Sequence, residues 1–102
     1  MTAATAFKIL TAQQWADFER ERVFRGAPVD VADGYIHLST ADQLEGTLEK
    51  HFAGQSDLRI VEVDLAQLEK MVRWEEARGG ALFPHLYGEL PMHVVVGLSR
   101  RD

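Results

Sequence analysis

Helical and extended patterns are unevenly distributed along this chain, and their order predicts the fold class. A strand at 7–10 and a helix beginning after Thr11 are followed by a strand at 35–38 and a second helix. Three more strands then follow with short links, at 58–65, 72–77 and 92–98. Helices in the first half and strands in the second favour an α+β fold over a doubly wound one. We expect a small mixed or antiparallel sheet, in one piece or split into two, with two main helices.

Capping patterns mark where both helices begin. Thr11 is followed three residues later by Gln14, which is the spacing of a capping box. Ser39 or Thr40 caps the second helix, and Gly54 marks where that helix should stop.

Two long segments, 23–34 and 77–90, contain glycine and proline and are predicted to be loops. Both are longer than simple connections need in so compact a chain, and ordered loops of this kind often carry function. We therefore expect functional residues in them.

Composition limits the classes of function. The chain has 102 residues, which suits a single domain spanning 1–102. Its net charge of −5 disfavours bulk nucleic acid as a partner but is compatible with a single bound nucleotide. The absence of cysteine excludes disulfides, thiolate catalysis and zinc–thiolate sites. Because neither a membrane-length apolar run nor a secretory leader pattern is present, we expect a cytoplasmic monomer or weak homodimer without membrane contact.

His37 is the first candidate catalytic residue. Side chains alternate along a strand, so Tyr35 and His37 should share one face while Ile36 and Leu38 face the core. His37 would then border a cleft. The alternative is a partly buried ring that is bonded to a carbonyl group.

Ser39 and Thr40 follow at the start of the second helix. A helix N-terminus offers free N–H groups and a partial positive charge, which suit a phosphate or a carboxylate. Together with His37 they would form one wall of a pocket for an anionic ligand. Alternatively, both hydroxyls serve only as helix caps.

His85 and Tyr87 lie in the second predicted loop, between Pro84 and Gly88. Proline restricts the residue before it, so the loop should hold its aromatic rings rigidly. A titratable ring in an ordered loop favours a preorganised site. The alternative is an aromatic plug that closes the end of the sheet.

Trp74 and Glu75 form a third candidate pair. In a strand they face opposite ways, so one of them should pack inside. Glu75 is a candidate general base or ribose-binding carboxylate. The alternative is a solvated charge beside Glu76.

Lys8 interrupts an otherwise apolar strand. Lysine is almost never fully buried without a partner, so it lies either on the exposed side of an edge strand or in the cleft. We expect no metal site, with one built from His37, His85 and Glu75 as the alternative.

Several stretches resemble the small bacterial family known as domain of unknown function 952. The most specific are GYIHLST at 34–40 and FPHLYG at 83–88, and the resemblance extends from about Phe7 to Val96. That family is remotely similar to the ADP-ribosyltransferase superfamily. The resemblance therefore implies an ADP-ribosyltransferase-like fold, with NAD as a candidate cofactor.

Enzymes of that superfamily contact the nicotinamide ribose with an early histidine or arginine, stack an aromatic ring on nicotinamide and polarise the ribose with a late glutamate. The resemblance implies these roles for His37, Tyr87 and Glu75. Relatives carry Tyr-His in the first strand, whereas this chain has Phe7 and Lys8, so the early histidine is absent.

The sequence thus predicts a cleft that binds a nucleotide-like small molecule and transfers ADP-ribose or a phosphoryl group. The predicted catalytic residues are His37, Glu75 and His85, and the predicted ligand-binding residues are Lys8, Ser39, Thr40, Trp74 and Tyr87. The alternatives are a non-catalytic small-molecule-binding module and a protein-interaction module that uses the aromatic segment 82–91.

Overall fold

A computed structural model describes residues 4–102, and at position 78 it describes the backbone only. Within these residues the α-helices are α1 at Ala12–Glu21, α2 at Pro28–Asp33 and α3 at Ala41–His51. The strands are β1 at Thr5–Thr11, β2 at Val23–Phe24, β3 at Ile36–His37, β4 at Leu58–Asp64, β5 at Val72–Glu76, β6 at Leu82–Leu86, β7 at Leu90–Pro91 and β8 at Val95–Arg101. Among the described residues, no helix has the length and apolar character needed to cross a membrane.

All strand pairs in the described residues are antiparallel, and they form three small sheets. The first has the order β1-β4-β8, the second pairs β2 with β7, and the third has the order β3-β6-β5. The predicted α+β class is confirmed. The described residues nevertheless contain three sheets and three α-helices, rather than the one or two sheets and two helices expected from the sequence.

The first sheet is covered on both faces, which explains why β4 has buried apolar residues on both of its faces. Val61 and Val63 pack into the main core. Leu58 and Ile60 face the other way and pack with Leu48 of α3. Helix α3 therefore closes one side of this sheet.

The segment 23–34 is not a loop, and that prediction was wrong. Pro28 occupies the first turn of α2, where its missing N–H costs nothing. The side chain of Asp30 accepts the Ala27 N–H at 2.8 Å, and Gly34 ends the helix in the left-handed conformation, with φ of 88°. Proline and glycine here mark the two ends of a short helix.

The segment 77–90 was also wrongly predicted to be a loop, because it contains β6, the central strand of the third sheet. Proline is normally excluded from central strands because it lacks an N–H group. Pro84 is tolerated because it lies just beyond the two-residue ladder between β3 and β6. Its carbonyl still accepts the Leu38 N–H, at 3.1 Å.

The last strand begins later than the predicted 92–98. Met92–Val94 form a turn of 3-10 helix, and the strand runs from Val95 to Arg101. The Met92 N–H donates to the carbonyl of Arg22 at 3.0 Å, so this residue extends the pairing of β2 with β7 instead.

Two backbone hydrogen bonds join the first sheet to the turn before α3. The Phe7 N–H donates to the Ser39 carbonyl at 2.7 Å, and the Ser39 N–H donates to the Phe7 carbonyl at 2.9 Å. This bridge brings β1 next to β3, and a cleft opens beside it.

Candidate functional site

A cleft of about 600 Å³ is bordered by β1, α2, α3 and the third sheet. His37, His85, Lys8 and Ser39 line it together with apolar side chains such as Phe7 and Phe83. A few polar groups in a largely apolar concavity are typical of small-molecule sites.

The two imidazoles come from distant segments and meet directly. His37 and His85 are cross-strand partners of β3 and β6, and their ring centroids are 5.6 Å apart. The ring of Tyr35 stacks on His85 at 4.1 Å. Ile36 and Leu38 are buried in the main core, as the predicted alternation requires.

Asp30 holds His37 from inside the protein. One oxygen of its buried carboxylate accepts Nδ1–H of His37 at 2.6 Å and the backbone N–H of His37 at 3.1 Å. Burial raises the pKa of Asp30, but the hydrogen bond from His37 and the charge of Lys8 outweigh it and hold the pKa at about 2. The carboxylate is therefore ionised, and it fixes both the backbone and the ring of His37.

Lys8 is buried and fully engaged. Its Nζ lies 3.0 and 2.9 Å from the two carboxylate oxygens of Asp30, and it donates to the His37 carbonyl at 3.0 Å. Burial lowers the pKa of Lys8, and the adjacent Asp30 opposes that effect. Of the two predicted positions for Lys8, the structure has the one beside the cleft, not the exposed side of an edge strand. Its ammonium group forms an ion pair with the carboxylate of Asp30.

Asp33 contacts the second ring nitrogen of His37, Nε2. Its Oδ2 lies 2.9 Å from Nε2 of His37, and its side chain is half-exposed. A neutral imidazole has one N–H group, so His37 donates to Asp30 and Asp33 at the same time only as an imidazolium. Both carboxylates belong to α2, which is thereby attached to β3.

Glu75 stands behind His85 rather than in the cleft. Its Oε1 accepts from Nδ1 of His85 and from the hydroxyl of Tyr87, each at 2.7 Å. The Tyr87 and His85 hydrogen bonds lower the pKa of Glu75, and Glu75 in turn raises the pKa of Tyr87. The guanidinium of Arg73 lies over the ring of Tyr87, 4.7 Å from the ring centroid, in a cation–π contact.

The remaining predicted residues divide between the cleft and the core. Trp74 and Glu75 face opposite ways as predicted, and Trp74 packs against the main core. Ser39 lines the cleft, but its hydroxyl is buried and hydrogen-bonded to Thr47 at 2.9 Å. Thr40 is the N-cap of α3 and lies outside the cleft lining.

No metal cluster is present among the described residues, since no three histidine, cysteine or acidic side chains are arranged to hold an ion there. His37 meets His85, and Glu75 contacts His85. The three were the predicted alternative for a metal site, but each imidazole directs its Nδ1 at a carboxylate.

Asp30 and Asp33 are the residues in contact with His37 that the sequence interpretation did not name. Asp30 lies three residues after Ala27, the position from which a carboxylate reaches back to a helix start. Asp33 lies four residues before His37, at the spacing of a local ion pair. Both signals depended on recognising α2.

Comparisons with known proteins place the chain in a family. The family described as "Protein of unknown function (DUF952)" matches residues 9–98. The crystal structure of protein CC0527 from Caulobacter crescentus is 39% identical, with a TM-score of 0.92 over 96% of this chain and 86% of that one. The solution NMR structure of CC0527 is 38% identical, with a TM-score of 0.84 over 95% and 84% of the two chains. A comparison with curated proteins gave no match.

The family match includes nearly all of the residues that line the cleft, since only Phe7 and Lys8 precede its first matched residue. Identity near 40% together with near-complete structural overlap means that the fold is shared with CC0527. The chain belongs to the family of proteins of unknown function DUF952.

Proposed function

We propose that the cleft binds a nucleotide-like ligand and that His37 and His85 act as an acid–base pair in phosphoryl transfer. The supporting observation is that two imidazoles line one cleft and each has its Nδ1 fixed by a carboxylate. A carboxylate at Nδ1 orients each ring and directs its Nε2 away from that carboxylate. On His85, Nε2 is then available to a ligand, whereas on His37 it contacts Asp33 at 2.9 Å.

The transfer step needs one ring to accept a proton and the other to donate one. Neutral His85 takes the proton of an attacking hydroxyl, whose oxygen forms a bond to phosphorus. The bond from phosphorus to the leaving oxygen breaks, and the imidazolium of His37 supplies the proton which that oxygen needs. No oxidant or further reactant is required, and both rings return to their starting states when His85 releases its proton to water and His37 takes one up from water.

His37 suits the acid and His85 the base. His37 faces two carboxylates, and both contacts are satisfied only by the doubly protonated ring. His85 has one carboxylate partner at Nδ1, which a neutral ring satisfies while Nε2 remains an acceptor.

ADP-ribosyl transfer, with NAD as the ligand, is the second form of the proposal, and it rests on the family resemblance. It requires Glu75 to reach the ribose, but Glu75 binds His85 and Tyr87 behind the cleft wall. The ligand-binding roles of Tyr87 and Trp74 meet the same difficulty, because neither lines the cleft. These positions favour phosphoryl transfer over ADP-ribosyl transfer.

A thermal-shift panel of NAD, ADP-ribose, mononucleotides and cyclic nucleotides tests binding, since a ligand that binds only the folded state raises the melting temperature. We expect at least one phosphate-bearing member to do so in the wild type and not in His37→Gln. His93→Gln is the matched control, because His93 is exposed and outside the cleft. A panel without any shift would contradict the proposal.

Turnover distinguishes the enzyme from a non-catalytic binding module. A nucleotide phosphodiester with an alkyl leaving group, whose oxygen needs a proton as it departs, should be cleaved with a bell-shaped pH dependence, and His37→Gln and His85→Gln should each lower the rate about 100-fold or more. Binding without turnover of any phosphoester offered would favour the non-catalytic alternative.

A further inference from the structure

We infer that Asp33 is a built-in competitor at His37, and that a phosphate oxygen of the ligand replaces its carboxylate at Nε2. This inference deepens the proposed function, on which it rests, by naming the ligand group that meets His37 and the residue that controls its access. Asp33 Oδ2 lies 2.9 Å from Nε2 of His37, at the position that an anionic oxygen of the ligand would take.

The hydrogen bonds of His37 allow this exchange without moving the ring. Nδ1 is held at 2.6 Å by the buried Asp30, whereas Nε2 is held at 2.9 Å by the half-exposed Asp33. The side chain of Asp33 can turn into water, where a carboxylate is well solvated, while Asp30 keeps the imidazole in place. A phosphate oxygen would then accept from the same N–H group.

The charges around the ring also fit an anionic ligand. Lys8 and Asp30 neutralise one another, so the charge of the His37 imidazolium is matched by Asp33 alone. The carboxylate of Glu75 contacts Nδ1 of His85 but lies outside the cleft lining. It therefore adds no second anion to the cleft wall. When Asp33 leaves, one positive charge faces the cleft.

The stability of α2 does not explain a carboxylate at position 33. Asp33 is the last residue of α2, where the partial negative charge of the helix end disfavours an acidic side chain. Asp30, by contrast, lies in the first turn, where an acidic residue is favourable. The contact with His37 is therefore the feature that accounts for Asp33.

Inorganic phosphate is the probe, and the ring nitrogens of His37 in 15N-labelled full-length protein are the readout. We expect Asp33→Asn to bind phosphate roughly tenfold more tightly at His37 than the wild type, since a like charge near the anion is removed. Asp33→Ala should behave similarly, and Asp33→Glu should not gain affinity. Asp17→Asn is the matched control, because it removes the same charge at similar exposure, 41% against 47%, outside the cleft.

Equal phosphate affinity at His37 in the wild type and both uncharged variants would overturn the inference. So would a gain in phosphate affinity, measured by calorimetric titration, that persists after His37→Gln is added to Asp33→Asn, or a gain of the same size in Asp17→Asn. The proposed function fails separately: phosphate can bind more tightly to Asp33→Asn even if no nucleotide binds or reacts. Conversely, if wild type and Asp33→Asn turn over nucleotide at the same rate, only the inference is overturned.

Discussion

The two carboxylate–histidine pairs of the cleft are built in opposite ways. In the pair of Asp30 with His37, the carboxylate side chain is 1% exposed and the ring 33%. In the pair of Glu75 with His85, the ring side chain is 4% exposed and the carboxylate 38%. A buried charge needs fixed partners inside the protein, whereas a half-exposed carboxylate is stabilised by water.

The difference shows that similar contacts can depend on different forces. The first ring is positioned by a buried ionic group that also involves Lys8 and the Ala27 N–H. The second ring is positioned by packing, because Tyr35 stacks on its face. Changes that test these forces should therefore have very unequal effects in the two pairs.

The largest effect is expected when the two carboxylates are neutralised in matched variants. Asp30→Asn leaves the ammonium of Lys8 buried without its counter-charge, so the free energy of unfolding should fall by about 3–5 kcal/mol. Glu75→Gln should have a much smaller effect, because water can solvate the altered group. Urea denaturation at pH 7 measures both, and equal losses in the two variants would refute the contrast.

The difference in the free energy of unfolding between wild type and Asp30→Asn should become smaller in acid. The pKa of Asp30 is lowered from its ordinary value of 3.8 to about 2, so its ionised form stabilises the fold fully above about pH 4. As the pH falls towards 2 the unfolded chain takes up the proton first, and a contribution on the order of 2 kcal/mol is lost. The asparagine variant has no such contribution to lose.

Unfolding free energies of both proteins at several pH values between 5 and 2 provide the measurement. The difference in unfolding free energy between wild type and Glu75→Gln should change less over this pH range, because the Glu75 carboxylate is half-exposed. A constant gap between wild type and Asp30→Asn over this range would mean that the ionic group around Asp30 does not contribute through its charge.

Features set by neighbouring residues were predictable from the sequence. Alternation at 35–38 placed the two faces of β3 correctly. The capping box was also correct: the hydroxyl of Thr11 accepts the Gln14 N–H at 3.1 Å, and Gln14 Oε1 accepts the Thr11 N–H at 2.9 Å. Such contacts depend on local spacing alone.

Features that depend on distant partners were not predictable. Pro84 reads as a strand breaker unless the short length of β3 is known. Asp30 reads as a loop residue unless Lys8, 22 positions earlier, is known to be buried against it. The sequence interpretation therefore named both histidines but only one of the carboxylates that hold them.

The smallest expected effect concerns the exposed side of the second pair. Tyr87→Phe removes the hydroxyl that donates to Glu75, the main cause of the lowered pKa of that carboxyl group. The pKa of Glu75 should rise towards its ordinary value but remain below it, because His85 still donates to the same oxygen. A carboxyl 13C titration followed by NMR measures this shift, with Tyr35→Phe as the control, since Tyr35 contacts His85 through its ring.

The lowered pKa of Glu75 stabilises the folded state above the pKa that Glu75 has in the unfolded chain. The Tyr87→Phe variant should therefore lose a little stability at neutral pH and none in strong acid. If the pKa of Glu75 does not move, His85 alone holds the carboxylate, and the second pair resembles the first more closely than its exposure indicates.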